Sequence, residues 1–199
     1  MRYAHPSGID SQYLLGNLKT LDKWVCWRAV ETEDGMRKKP TDVEQLDDGT
    51  IETIHFKDPA NWMSYADAVE SVLAYDILEG IQVVIDVSED DFIVIDFDDC
   101  VNPTTGKIDP TVREYLRMTY AYTELSPSGT GLHTIVRGNI TNQGWPDPED
   151  AVDGEIFDKY IITVTENHVA GTSYLAREET EILDRYFEAN NVSWDELFY

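Results

Sequence analysis

Asp96 and Asp98 flank Phe97 at the end of an apolar run, Phe92-Ile93-Val94-Ile95. Four consecutive apolar residues rich in β-branched types read as a buried strand. Side chains alternate along a strand, so Ile93, Ile95 and Phe97 share one face, and Asp96 and Asp98 the other. The two carboxylates then stand roughly 7 Å apart. Like charges this close repel unless a cation lies between them. Hard divalent ions take oxygen ligands, often one or two carboxylates together with substrate phosphates. An Asp-x-Asp strand end is therefore a plausible metal platform, though a solvated turn has the same composition.

A second stretch could handle an anion. Ser126-Pro127-Ser128-Gly129-Thr130-Gly131 leads into Leu132 and His133. Small residues let a backbone approach a ligand, and their N–H groups can form an anion-binding nest. His133 would reach the same anion, and Arg137 lies in the same strand phase. An ordinary turn followed by a histidine that only satisfies hydrogen bonds is the plainer alternative. A third stretch, Glu155-Ile156-Phe157-Asp158, supplies further carboxylates ahead of Thr163-Val164-Thr165.

These residues need elements to hold them. Leu14, Leu15, Leu18 and Leu21 predict a helix over 13–21, and a strand is expected over 24–30. Asp34-Gly35 signals a turn, with Arg37-Lys38-Lys39-Pro40 on the return strand. Asp47-Asp48-Gly49 is another turn. Ser64 is a good N-cap for an amphipathic helix carrying Ala68, Val69, Val72 and Leu73, with Gly80 as its stop. Residues 81–87 and the Asp96 strand, joined by 88–91, predict a hairpin. Asp109-Pro110 opens a helix to about Met118, with the cap first and Pro at the first helical position. Strands are expected over 120–125 and 132–137, a surface loop over 138–154, and a last hairpin from 155–158 and 160–165. A closing helix is expected over 177–189. The aromatic end, 192–199, is expected to pack back on the core, with a docking peptide for a replication partner as the sharper reading. No repeat or low-complexity linker divides the chain, so the expectation is one compact α/β unit, or two lobes sharing a core.

Hydrophobic residues make up 42% and aromatics 11%, which indicates a folded protein. No run of about 18 apolar residues occurs, and a soluble cytoplasmic protein with no membrane partner is expected. Thirty-nine acidic against fifteen basic residues give a net charge of −24. Ordinary nucleic-acid binders are basic, so this balance opposes a polyanion partner at low salt. It suits a halophile, in whose salt-rich cytoplasm the Debye length falls to about 3 Å and such repulsion is screened. An acidic protein that mimics DNA is the other reading. Lys19, Lys23, Arg28, Arg37, Lys38 and Lys39 gather in the first fifth of the chain. Cys26 and Cys100 form no Cys-x-x-Cys pair, so buried reduced thiols are expected rather than zinc ligands.

Taken in order, Asp96-Phe97-Asp98, the Ser-Pro-Ser-Gly-Thr-Gly-Leu-His133 stretch and Glu155-Ile-Phe-Asp158 resemble the archaeo-eukaryotic primase superfamily. The likeness is greatest to the primase–polymerase domains of phages and plasmids. Trp24-Val-Cys-Trp27, Lys38-Lys39-Pro40, Asn61-Trp62 and Gly80-Ile81 agree with it, so the resemblance spans about 14–169. Within a single domain over 1–199, residues 170–199 would be a C-terminal helix and tail. The resemblance implies an α/β (α+β) primase fold, an RRM-like catalytic sheet packed against a second small α/β unit. It implies that Asp96 and Asp98 hold two divalent ions, Mg²⁺ or Mn²⁺, with Glu155 as third carboxylate and Asp158 as the second choice. His133 would join the catalytic set and contact the incoming NTP or dNTP, with Ser128, Gly129, Thr130, Gly131, Arg137 and Lys159. Arg37, Lys38 and Lys39 would grip a single-stranded DNA template.

Two departures stand out. The family often places a small residue and Arg before a Phe-Phe-Thr-Val-Thr-Gly-like strand. Here Lys159 takes that region, the segment is one residue shorter, and Glu166 stands where Gly is usual. Lys lacks the bidentate fork of Arg, so the change bears on rate and selectivity. No Gly-x-x-x-x-Gly-Lys-[Ser/Thr] loop occurs, so either a helicase or other replisome partner is expected on a separate chain or this sequence is an excised domain. The expected function is template-directed primer synthesis and DNA polymerisation for a virus, plasmid or integrated element of a halophile. A catalytically weak accessory that binds DNA or nucleotide is the alternative.

Overall fold

The computed structural model describes residues 18–33, 35–46, 49–90, 92–119, 121–137, 154–157 and 159–172; for 87, 88, 118, 119, 137, 154–157, 159 and 160 it describes the backbone. The protein is mixed α+β, with two four-stranded sheets. Its contacts divide it into two compact units, one centred on 16–84 with 161–165, the other on 85–160.

In the first unit the strand order is β2-β1-β3-β8. β1 (Trp24–Thr32) and β2 (Gly35–Thr41) form the expected hairpin, with Thr32 opposite Gly35. Gly35 has φ 105°, a left-handed conformation that glycine adopts without a Cβ penalty. β3 (Gly80–Asp86) pairs antiparallel with β1, and β8 (Lys159–Val164) completes the sheet. α1 (Tyr65–Ala74) starts as expected, because Ser64 Oγ accepts the Asp67 N–H. Its Tyr65 ring meets Trp24 edge-on at 5.1 Å, and its Ala68 carbonyl accepts from Cys26 Sγ–H. A separate apolar cluster gathers Val25, Val84 and Ile161 under Ile54, Phe56 and Trp62.

In the second unit the order is β5-β6-β4-β7, from Tyr122–Leu125, Leu132–Arg137, Phe92–Phe97 and Gly154–Phe157. Every pairing in this sheet is antiparallel. Ile93, Ile95 and Phe97 face a core completed by Val112, Tyr115 and Leu116 of α3 (Pro110–Thr119) and by Leu132 and Val136. The three α3 residues follow helical i, i+3, i+4 spacing, which puts them on one stripe. Phe92 and Val94 are buried as well, so β4 is covered on both faces. This explains its near-continuous apolar sequence.

Several expectations are corrected. Residues 81–87 and β4 do not form a hairpin, since β3 and β4 lie in different sheets. The chain between them makes a single helical turn, α2 (Val87–Asp90), where Asp90 Oδ2 accepts the Asp86 N–H. The last pair, β7 and β8, likewise belongs to two sheets rather than one hairpin. Gly80 does not stop α1, which ends at Ala74 with Tyr75 as its cap; Gly80 instead opens β3. A Cβ there would lie 2.8 Å from Trp27 Nε1, so close packing is the reason for glycine. Of the 13–21 helix only a 3-10 turn, Leu18–Thr20, lies among the described residues. The 177–189 helix, the 192–199 end, the 138–153 part of the loop, Asp47, Asp48 and Asp158 lie outside them. Among the described residues no helix is long and apolar enough to cross a membrane.

Candidate functional site

The registers of the second sheet put four ionisable residues in one row. Glu124 lies opposite His133, His133 opposite Asp96, and Asp96 opposite Glu155. The row therefore crosses all four strands, β5-β6-β4-β7. His168 extends it by an isolated bridge to the outer side of Glu124. Directly opposed residues of an antiparallel pair have Cβ atoms about 4.5–5.5 Å apart.

His133 stands between two carboxylates. Its Nε2 is 3.6 Å from Asp96 Oδ1, and its Nδ1 is 3.5 Å from Glu124 Oε1. The ring is nearly buried, at 6% exposure, whereas the Asp96 side chain keeps 24%. Asp96 is thus the most exposed member of this trio. Glu124 has no exposed surface; its Oε2 accepts from Tyr122 Oη–H at 2.9 Å and from the Glu166 N–H at 3.0 Å. Burying a carboxylate is costly without such donors.

Asp98 lies one residue past the end of β4 and is exposed. The strand stops before it, so strict alternation with Asp96 is not imposed. Asp99 follows at φ 45°, a left-handed conformation that Asp tolerates better than most residues. Its Oδ1 accepts from Thr130 Oγ1–H at 3.1 Å, which ties the carboxylate turn to the β5–β6 loop. Cys100, just beyond, is a buried free thiol. Burial pushes it up to about 12, and the negative charges of Asp96, Asp109 and Asp98 act in the same direction.

The loop 126–131 closes on itself. The Gly129 N–H donates to the Ser126 carbonyl, the Thr130 N–H to Ser128 Oγ, and the Gly131 N–H to Ser126 Oγ. These amides are engaged within the turn, and the hydroxyls of Ser128 and Thr130 are bonded to each other and, through Thr130, to Asp99. Gly131 is fitted closely: a Cβ would stand 2.7 Å from the Phe97 carbonyl oxygen.

The fold thus brings together Asp96, His133 and, by register, Glu155, with Asp98 and the 128–131 loop at the same end of the sheet. Arg137 is not brought to that row. It pairs with Phe92, at the opposite end of β4, four residues and roughly 13 Å from His133 along the strand. Lys159 opens β8. Arg37, Lys38 and Lys39 lie on β2, an edge strand of the other sheet, where Lys38 Nζ sits 5.8 Å from the Trp27 ring centre. Among the described residues no group of three or more His, Cys, Asp or Glu side chains is placed to hold a metal ion. The carboxylates at this end of the sheet are hard oxygen donors of the type that suits Mg²⁺ or Mn²⁺.

Sequence reasoning passed over Glu124. One signal could have found it: if 126–131 is a closed six-residue hairpin loop, Leu125 pairs with Leu132 and Glu124 falls opposite His133. The role of Glu166 also becomes legible. Its φ of 57° is a left-handed conformation, which glycine adopts more readily than glutamate. Compared with models of known families and with curated proteins, the sequence matches none significantly.

Proposed function

We propose that the protein is a template-directed primase–polymerase, a nucleotidyltransferase that joins nucleotides on single-stranded DNA. One observation carries this reading: Asp96 lies between His133 and Glu155 in a single cross-strand row, with Asp98 just beyond the strand end. The sequence resemblance makes Asp96, Asp98, His133 and Glu155 the catalytic group of an archaeo-eukaryotic primase fold, and the register supports this by aligning three of them, Asp96, His133 and Glu155.

Asp96, Asp98 and Glu155 would hold the divalent ions, Mg²⁺ or Mn²⁺, which neutralise phosphate charge and activate the attacking hydroxyl when bound. The chain's own residues orient the nucleotide. His133 donates a hydrogen bond to its phosphates, and the 128–131 loop would approach them from the same end of the sheet. Lys159 is assigned to the nucleotide through the resemblance and Arg137 through its strand phase with His133, and Arg137 is the weaker of the two because its register position is remote from the row. Template would be held by Arg37, Lys38 and Lys39. The acidic surface fits work in high salt, as expected for a virus, plasmid or integrated element of a halophile.

The test is primer extension and unprimed synthesis on single-stranded DNA in molar KCl, with Mg²⁺ or Mn²⁺ and either NTPs or dNTPs. Products that disappear in Asp96→Ala/Asp98→Ala support the reading. A folded protein that binds DNA or nucleotide yet makes no product with either metal would replace it with a non-catalytic replication accessory.

A further inference from the structure

We propose that Glu124 is a positioning residue for His133, setting the orientation of its ring. This rests on the reading of His133 as the nucleotide-facing histidine. Three observations carry it. Glu124 is wholly buried, so it acts on a ligand only through another group. Its Oε1 faces His133 Nδ1 at 3.5 Å, while the opposite ring nitrogen lies toward Asp96, the more exposed member of the row. Its Oε2 is anchored by Tyr122 Oη–H and by the Glu166 N–H, which a left-handed residue presents.

Glu124 and Asp96 each set a carboxylate oxygen against one ring nitrogen, 3.5 Å from Nδ1 and 3.6 Å from Nε2, so removing the Glu124 charge unbalances the two sides of the ring. The donor that fixes the carboxylate therefore fixes the ring, in the way outer-shell carboxylates orient histidines at other sites. Tyr122 and the Glu166 backbone hold Glu124 in place, Glu124 holds Nδ1, and Nε2 is left to face the Asp96 side. No sequence motif assigns this role to Glu124.

The discriminating variant is Glu124→Gln. The amide oxygen can still accept from Tyr122 and from Glu166, but the charge opposite Nδ1 is gone. With ¹⁵N-labelled histidine in the full chain, long-range ¹H–¹⁵N spectra report which ring nitrogen carries the proton; His133→Gln identifies the signals. The variant is expected to show a proton distribution on His133 different from that of the wild type. Nucleotide KM should rise about ten-fold or more, with a smaller change in kcat. An unchanged His133 spectrum in Glu124→Gln overturns the proposal. If that variant does not fold, Tyr122→Phe decides: it removes one anchor and keeps the ring packing, and an unchanged His133 spectrum there is equally fatal. A changed spectrum in a protein whose wild type makes no nucleotide product would sustain the positioning role and reject the polymerase reading.

Discussion

Replacing Gly131 with alanine tests the join between the loop and the carboxylate strand. The added methyl would stand 2.7 Å from the Phe97 carbonyl oxygen and 2.9 Å from Ser126 Oγ. The serine hydroxyl could swing away, but it accepts the Gly131 N–H and is 2.9 Å from Ser128 Oγ. The carbonyl belongs to the β4 backbone, where Phe97 is held in register with Leu132. Relief therefore needs a backbone shift of several tenths of an ångström. Overpacking of this kind costs about 1–3 kcal/mol. Loss of the Ser126–Gly131 hydrogen bond adds roughly 1 kcal/mol. A total of about 2–4 kcal/mol corresponds to a fall in Tm of about 5–15 °C for a chain of this size. Gly129→Ala is the internal control, since nothing lies within 4 Å of its Cβ position and only its φ of 76° opposes the change. The left-handed conformation should cost that variant about 1–2 kcal/mol. Thermal unfolding followed by circular dichroism, with urea midpoints alongside, separates the two. If Gly131→Ala loses no more stability than Gly129→Ala, the loop does not seat on Phe97 as described, and the alignment of His133 with Asp96 loses its support.

Further outcomes follow from the charges and thiols. Burial pushes the Cys26 thiol from its ordinary 9.0 up to about 12, with a hydrogen bond from Ser71 opposing. Because the folded value is raised, the stabilisation is present below pH 9 and is lost as pH rises toward 12; native Cys26 should resist alkylation at pH 8 and react quickly in denaturant. Raising KCl from 0.1 to 2 M should raise Tm, because screening weakens repulsion across a surface of net charge −24; a steady fall in Tm would refute an adaptation to salt. Replacing Arg37, Lys38 and Lys39 by alanine should flatten the salt dependence of single-stranded DNA binding by about 0.7 per lost phosphate contact, so about 2 for all three. An unchanged slope would remove β2 from the template grip.

Much of the local structure was legible in the residues. The Ser64 cap, the Asp109-Pro110 helix start, the β1–β2 turn and the strands 92–97 and 132–137 all follow from side-chain chemistry within a few residues. Partnership was not. Residues 81–87 and β4 are close in sequence and both apolar, so a hairpin seemed natural, yet each strand pairs with distant partners in its own sheet. Periodicity tells which residues can lie in a strand; it carries no information on which strand supplies the opposing N–H and C=O groups.

The candidate site divides along the same line. From sequence alone came Asp96, Asp98, His133 and Glu155 as chemistry-bearing residues, because their types, order and neighbours mark them. Their alignment depended on the β5-β6-β4-β7 order and its register, which is set by the packing of Ile93, Ile95, Phe97, Leu132 and Val136 on α3. A slip of one residue would turn the row to the other face. Glu124 shows the limit most clearly. A charge in an apolar strand is ordinarily assigned to solvent, and only tertiary structure, by placing Tyr122, Glu166 and His133 around it, makes its burial tolerable.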